Sequence, residues 1–482
     1  MRSFALFLAV VLAGSVAAQP EPIPAKKLTI SPAVAPRPAL KYTLLPEARD
    51  RTPGNAALGY FRTFAARPTA PNRDAAQAAE TAFEKWHETP VADLPVADIR
   101  KYLDAYSTLF RELDKAVVCE RCDWEMGPRI KADGIGVLLN EVQPSREVMR
   151  YLALRTRADL AENHFDAAAR GLRSGLQLAQ HCGEGPTMIQ LLVGLALESI
   201  VLERVEEWIT RPGSPNLYWG LTSLPHPLIN PKPALDGEAL FTETLFPGIR
   251  ELERERLAPD RAARIVEDFF KRASGMPLEP ENPNSELGST LQKLGVAGYV
   301  ALHLASAKAE LAARGRLAKD IDAMPPAQAV FLNSLERFQD LRDDQSKWFG
   351  QPYYLGQPAL KALEERRKKL QKEHATDPVF TLFALLLPAG DKVYFATVRV
   401  DRKLAALRTL EAIRMHVAAT GKLPAKLADI VAVPVPIDPM TGKSFDYAPS
   451  GESFALVAPP PAGETPNPGN SLNYAVTLRP GK

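Results

Sequence analysis

Along most of the chain apolar residues return every three or four positions, the spacing that turns one face of a helix toward a core. The densest run is Met188–Leu202, MIQLLVGLALESIVL. It is apolar on nearly every side, which on a helix predicts burial by neighbours all round. Thr187 and Gln190 mark its start as a T-x-x-Q capping box just after Pro186. The exceptions to its apolar character, Gln190, Gly194 and Glu198, fall four apart and make one narrow stripe. The run is too short, and with Glu198 too polar, to span a bilayer.

Helical spacing also covers Ala56–Ala66, Asp74–Glu88 and Asp98–Val118, the last through Ile99, Tyr102, Leu103, Tyr106, Phe110 and Leu113. Arg146–Cys182 reads as two helices. Met149, Leu152, Ala153, Thr156 and Leu160 share one face, and Asn163-x-x-Asp166 opens a second helix with Phe165, Ala168, Leu172, Leu176 and Ala179 aligned. Two such helices joined by a short turn form an antiparallel hairpin. A proline-punctuated crossing, Arg211–Pro233, separates them from further helices at Gly237–Leu257, Asp260–Ser274, Leu287–Arg314, Pro325–Trp348 and the charged Ala359–His374.

The last ninety or so residues change period. A helix over Arg399–Thr420 is stopped by Gly421. Strand alternation follows at Phe445–Tyr447, Ser453–Val457 and Leu472–Leu478. The pattern predicts a mainly α protein: an irregular helical-hairpin array with a small C-terminal α+β module. The expected divisions are a signal peptide over residues 1–18, a Pro-rich extended spacer over 19–54, an α-helical domain over 55–395, and a helix with a three-stranded antiparallel sheet over 396–482.

Composition narrows the function classes. Lys and Arg total 59 against 57 Asp and Glu, so no long-range field recruits nucleic acid or acidic lipid. Arg2, the apolar Phe4–Gly14 and the small residues Val16-Ala17-Ala18 form an export signal. The expected location is therefore periplasmic or extracellular, with no membrane span after signal cleavage. Cys119 and Cys122, in C-E-R-C-D, read as a structural disulfide or as two unpaired buried thiols. Haem attachment is excluded because Asp123 stands where His is needed. A zinc site with His181 and Cys182, or a redox pair, is a lesser reading.

Three resemblances bear on the architecture. Asn163-His-Phe-Asp-Ala-Ala with Gly175-Leu-Gln-Leu-Ala is similar to one tetratricopeptide hairpin, in which a small residue lets the helices approach. Lys422-Leu423-Pro424 with the stretch from Pro436 to Tyr447, PIDPMTGKSFDY, resembles the globular part of type II secretion pseudopilins. That resemblance implies the small C-terminal fold, and Asp438 and Asp446 as candidate calcium ligands. From Asn55 to Trp348 the chain resembles an uncharacterised family of exported planctomycete proteins, through Cys122-Asp123-Trp124, Phe165–Pro186, Pro212–Trp219 and Ala323–Gln328. It implies architecture and no activity.

Catalytic motifs are scarce. The histidines form no H-E-x-x-H, and there is no G-x-S-x-G, Walker loop or G-x-G-x-x-G. Glu198, a carboxyl on an apolar helix, is the candidate acid, with Arg170 or Arg173 as the partner if its role is structural. Tyr218 and Trp219, bounded by prolines, are candidates to line a peptide or glycan groove. No cofactor is expected. The functional expectation is an exported, non-catalytic binding or scaffold protein of the cell envelope, its partner an envelope protein, peptide or glycan. The alternatives are an envelope-polymer hydrolase using a buried carboxyl acid and an accessory of a pilin-type secretion system.

Overall fold

The structure, a computed structural model, describes residues 23–69, 71–274, 286–387 and 390–479. The expected signal peptide, residues 1–18, lies outside the described residues. The protein is mainly α-helical with a small sheet near its C-terminus.

The hairpin forms from helices Val142–Ala161 and Phe165–Gly183. Asn163 serves the first helix and does not cap the second. It takes a left-handed φ of 60°, and the amides of Asn163 and His164 donate back to Leu160 and Asp159. That pair of bonds is a Schellman ending, which turns the chain within three residues. Gly171 lets the helices close, since a Cβ there would lie 2.2 Å from Thr156 Oγ1.

The central helix, Met188–Thr210, begins at Thr187, whose hydroxyl accepts from the Gln190 amide at 3.1 Å. It crosses the hairpin at Gly194, where a Cβ would stand 2.4 Å from Gly183 Cα. The stripe of Gln190, Gly194 and Glu198 faces inward: Gln190 is fully buried and donates to Glu141 at 2.9 Å. The apolar Ile189 and Leu192, at 41% and 47%, are exposed, as is Ala196. The expectation of burial on all sides is therefore corrected. The bond of Gln190 to Glu141 and the close approach of Gly194 to Gly183 fix the rotation of this helix about its axis.

The spacer expectation is corrected as well. Residues Lys26–Ile30 form β1, and Leu28, Ile30, Tyr42 and Leu44 are buried. A short parallel pair joins β2 (Thr52–Asn55) to β3 (Cys119–Arg121). The C-terminal sheet contains β4 (Asp446–Ser450), β5 (Ser453–Ala458) and β6 (Leu472–Leu478). Its order is β1-β6-β5-β4, four strands where three were expected, with β1 parallel to β6 from Lys26↔Tyr474 to Ile30↔Leu478. The chain's beginning thus completes the sheet at its end. Glu206 of the central helix bonds Lys26 and Tyr474 and lies 3.6 Å from Lys403, tying the sheet to the helices.

Two main cores form. The first takes the N-terminal helices, the hairpin, the central helix, helix Gly390–Thr420 and the sheet. The second is built around Phe246, Phe269, Phe331, Phe338 and Phe383 from helices between residues 246 and 384. The chain therefore leaves the first core, builds the second and returns. Helix Gly390–Thr420 runs through the boundary expected at 395/396, so the module is not set off there. Among the described residues one stretch, Pro378–Thr420, is long and apolar enough to cross a membrane. Its Val379, Phe380, Leu382 and Phe383 are fully buried in the second core.

Candidate functional site

A cleft of ≈ 670 Å³ opens where four separate segments meet: the Pro225–Pro231 loop, residues 349–354, the first turns of helix Gly390–Thr420, and the loop at Ile437–Pro439. Tyr394, Thr397, Val398 and Asp401 reach it from positions 0, 3, 4 and 7 of the long helix, a single helical face. Pro352 precedes helix Tyr353–Glu373 and sets Tyr353 at its first position. The rings of Phe349 and Tyr394 lie 5.2 Å apart, and those of Tyr353 and Tyr394 stand edge to face at 5.2 Å and 78°. These distances and angles are those aromatic quadrupoles favour. Burial, with help from the charge of Asp401, pushes the Tyr394 hydroxyl up to about 12.

His226 is held at both ring nitrogens. Arg408 Nη1 lies 3.2 Å from Nε2, and Asp401 Oδ1 lies 3.4 Å from Nδ1. A guanidinium only donates, so Nε2 accepts and the proton sits on Nδ1, facing Asp401. The imidazole in this state has no lone pair left to act as a general base. The Asp401 side chain is 19% exposed and part of the cleft wall.

Glu198 is 2% exposed and is not among the residues of that wall. Burial pushes its carboxyl up to about 8, with the charge of Asp401 adding to the effect. Among the described residues it makes no hydrogen bond or ion pair. The arginine partner expected for it is absent: Arg170 is exposed, and Arg173 donates to the Thr43 carbonyl at 3.2 Å and to its hydroxyl at 2.8 Å. Glu198 is thus a buried carboxyl held toward its protonated form, near enough to feel the charge of Asp401 in the cleft wall.

The other candidates take structural places. Tyr218 is fully buried, its hydroxyl bonded to the Pro434 carbonyl, and Trp219 packs edge to face on it at 5.1 Å. Tyr218 thus fills a gap between elements, Trp219 is half-buried beside it, and neither is in the wall of that cleft. Asp438 is engaged by Arg402 at 2.6 Å, the two side chains 1% and 3% exposed, and by the Met440 amide and Thr441 hydroxyl. The arginine supplies the positive charge that a calcium ion would have brought. Asp446 is exposed on β4. Among the described residues no group of three or more His, Cys, Asp or Glu side chains is placed to hold a metal. Cys119, Cys122 and Cys182 are all free thiols, so the bridge between Cys119 and Cys122 is not formed. Burial pushes the Cys122 thiol up, and that of Cys182 up to about 12, so both stay protonated.

Sequence reading missed His226, Tyr353, Tyr394 and Asp401. The only local signal was the helical face of Tyr394 and Asp401, obscured because the helix was expected to start at Arg399. Comparison with family models, with curated proteins and with solved structures finds no match for this chain.

Proposed function

We propose that this chain is an exported, non-catalytic binding protein of the cell envelope, and that the cleft beside Tyr394 and Asp401 is where it seats a segment of peptide, protein or glycan. The observation that carries this reading is the composition of the cleft. Aromatic rings and prolines supply rigid apolar surface, and a few polar groups fix orientation, which is how binding sites are generally built. Prolines and paired rings are ordered before a ligand arrives, so little conformational entropy is lost on binding.

Hydrolysis is the weaker reading. Its acid would be Glu198, which has the raised pKa an acid needs but is 2% exposed and is not among the residues of the cleft wall. His226 is occupied at both nitrogens. The pilin-type accessory reading has only the small sheet in its favour.

The test is photo-crosslinking from position 437, half exposed at the cleft rim, with a photoreactive residue in place of Ile437 in the native envelope. The expected result is one dominant adduct that is lost when Tyr394→Ala is added. Adducts that do not depend on Tyr394 would overturn the reading.

A further inference from the structure

Resting on the cleft as the ligand seat, we propose that the group it receives is an organic cation: a protonated alkylamine or a guanidinium, as on a basic peptide side chain. Three independent features of the wall agree. The first is charge. Asp401 is the carboxylate in the wall, and no Lys or Arg lines the cleft. Among the described residues the only group within ion-pair distance of Asp401 is His226, in its neutral form. Arg408 lies on the far side of that imidazole and outside the wall.

The second feature is the supply of donors. Pro225, Pro227, Pro231, Pro352 and Pro439 contribute carbonyl oxygens to their segments but no N–H. A site for an anion needs donors in number; this wall lacks a backbone donor at five positions, and the donors it keeps are neutral: the side chains of Asn230, Gln351 and Thr397, the tyrosine hydroxyls and the amides at the start of helix Tyr353–Glu373. The third is the rings. Phe349, Tyr353 and Tyr394 line the wall, Tyr353 and Tyr394 largely buried and packed ring against ring, and an aromatic ring's electron-rich face attracts a cation that reaches it. A carboxylate beside perpendicular rings stabilises a cation with an apolar stem better than it does a neutral sugar.

The full mature chain would be titrated calorimetrically with tetramethylammonium, with Nα-acetyl-arginine amide and, as a neutral comparison, with the trimer of N-acetylglucosamine. Both cations should bind, and the trimer should not compete. Asp401→Asn keeps the shape and the acceptor facing His226, and should weaken cation binding about tenfold or more. Tyr394→Ala should weaken it likewise and Tyr394→Phe should not; because Tyr394 is buried against Phe349 and Tyr353, Tyr394→Ala will melt lower, and its binding is read at a temperature where circular dichroism shows it folded. Cation binding unaltered by Asp401→Asn overturns the inference. So does binding of the trimer that depends on Tyr394 but not on Asp401, although the cleft then remains the ligand seat. If no probe binds and the position-437 adduct is indifferent to Tyr394→Ala, both readings fall.

Discussion

Replacing Gly194 by alanine reverses the effect that helix propensity alone would give. In an exposed helix the change stabilises by about 1 kcal/mol. Here the added Cβ would lie 2.4 Å from Gly183 Cα and 2.8 Å from both the Ala179 carbonyl oxygen and the Gly183 nitrogen. All three are backbone atoms, which cannot rotate away. Ordinary carbon contacts are about 3.5–4.0 Å, so the central helix would have to back off the hairpin by roughly 1 Å. The nearby contact of Gly175 with Val201, tight at 2.7 Å for a Cβ, would open with it. Overpacking of this kind costs roughly 1–3 kcal/mol, and backbone-to-backbone contact belongs at the upper end. Offset by propensity, the net loss is about 2 kcal/mol. With a urea slope of about 3 kcal/mol/M, the midpoint should fall by roughly 0.7 M. Urea unfolding followed by circular dichroism and tryptophan fluorescence reads this directly, since Trp208 is buried in the same helix. Gly127, where an added Cβ would meet nothing within 4 Å, is the control: Gly127→Ala should be neutral or slightly stabilising. A midpoint for Gly194→Ala equal to or above the parent's would refute the close crossing.

Four further outcomes follow from the geometry. Glu198 has a folded pKa raised to about 8, so between the ordinary carboxylate range and about pH 8 the folded state holds a proton that the unfolded state has released. Its contribution is therefore fully present at low pH and lost as pH rises, at about 1.4 kcal/mol per unit; Glu198→Gln should flatten that fall and be the more stable protein at pH 8.5 in urea titrations. Arg402→Met leaves Asp438 buried without its partner and should cost about 3–5 kcal/mol, read as a lowered urea midpoint. Ile30→Ala, at a fully buried position of β1, should cost about 2–5 kcal/mol and raise hydrogen exchange in β6. Under denaturing, non-reducing conditions a thiol reagent should count three cysteines, and a count of one would show that a bridge had formed.

The helices were legible because each carries its own period and many carry their own stop. Thr187 with Gln190 marked the central helix correctly at its first turn. What the local pattern could not convey was which way that helix faces. The partners of its polar stripe, Glu141 and Gly183, come from other segments, and hydropathy has no term for them. Strand β1 escaped for a similar reason. Its partner lies at residues 474–478, and a five-residue strand amid prolines has no periodicity to stand out. Tyr218 was noticed for its aromatic surface, yet the carbonyl of Pro434 satisfies its hydroxyl, and nothing near it in sequence announces that contact. Asp438 was legible as a turn residue, since Gly442 has a φ of 70° and its amide donates to the Asp438 carbonyl at 2.8 Å. The buried Arg402 that claims its carboxylate was not. The cleft was hidden most thoroughly, because its four segments are spread from Pro225 to Pro439.

The central claim, retention of a ligand beside Tyr394 and Asp401 without turnover, is tested most directly by incubating the purified chain with envelope extract and weighing the bound and free molecules by mass spectrometry over time. The account requires a ligand held unchanged in mass by the parent and by Glu198→Gln, and released by Tyr394→Ala. Cleavage products that accumulate with the parent and vanish with Glu198→Gln would contradict it.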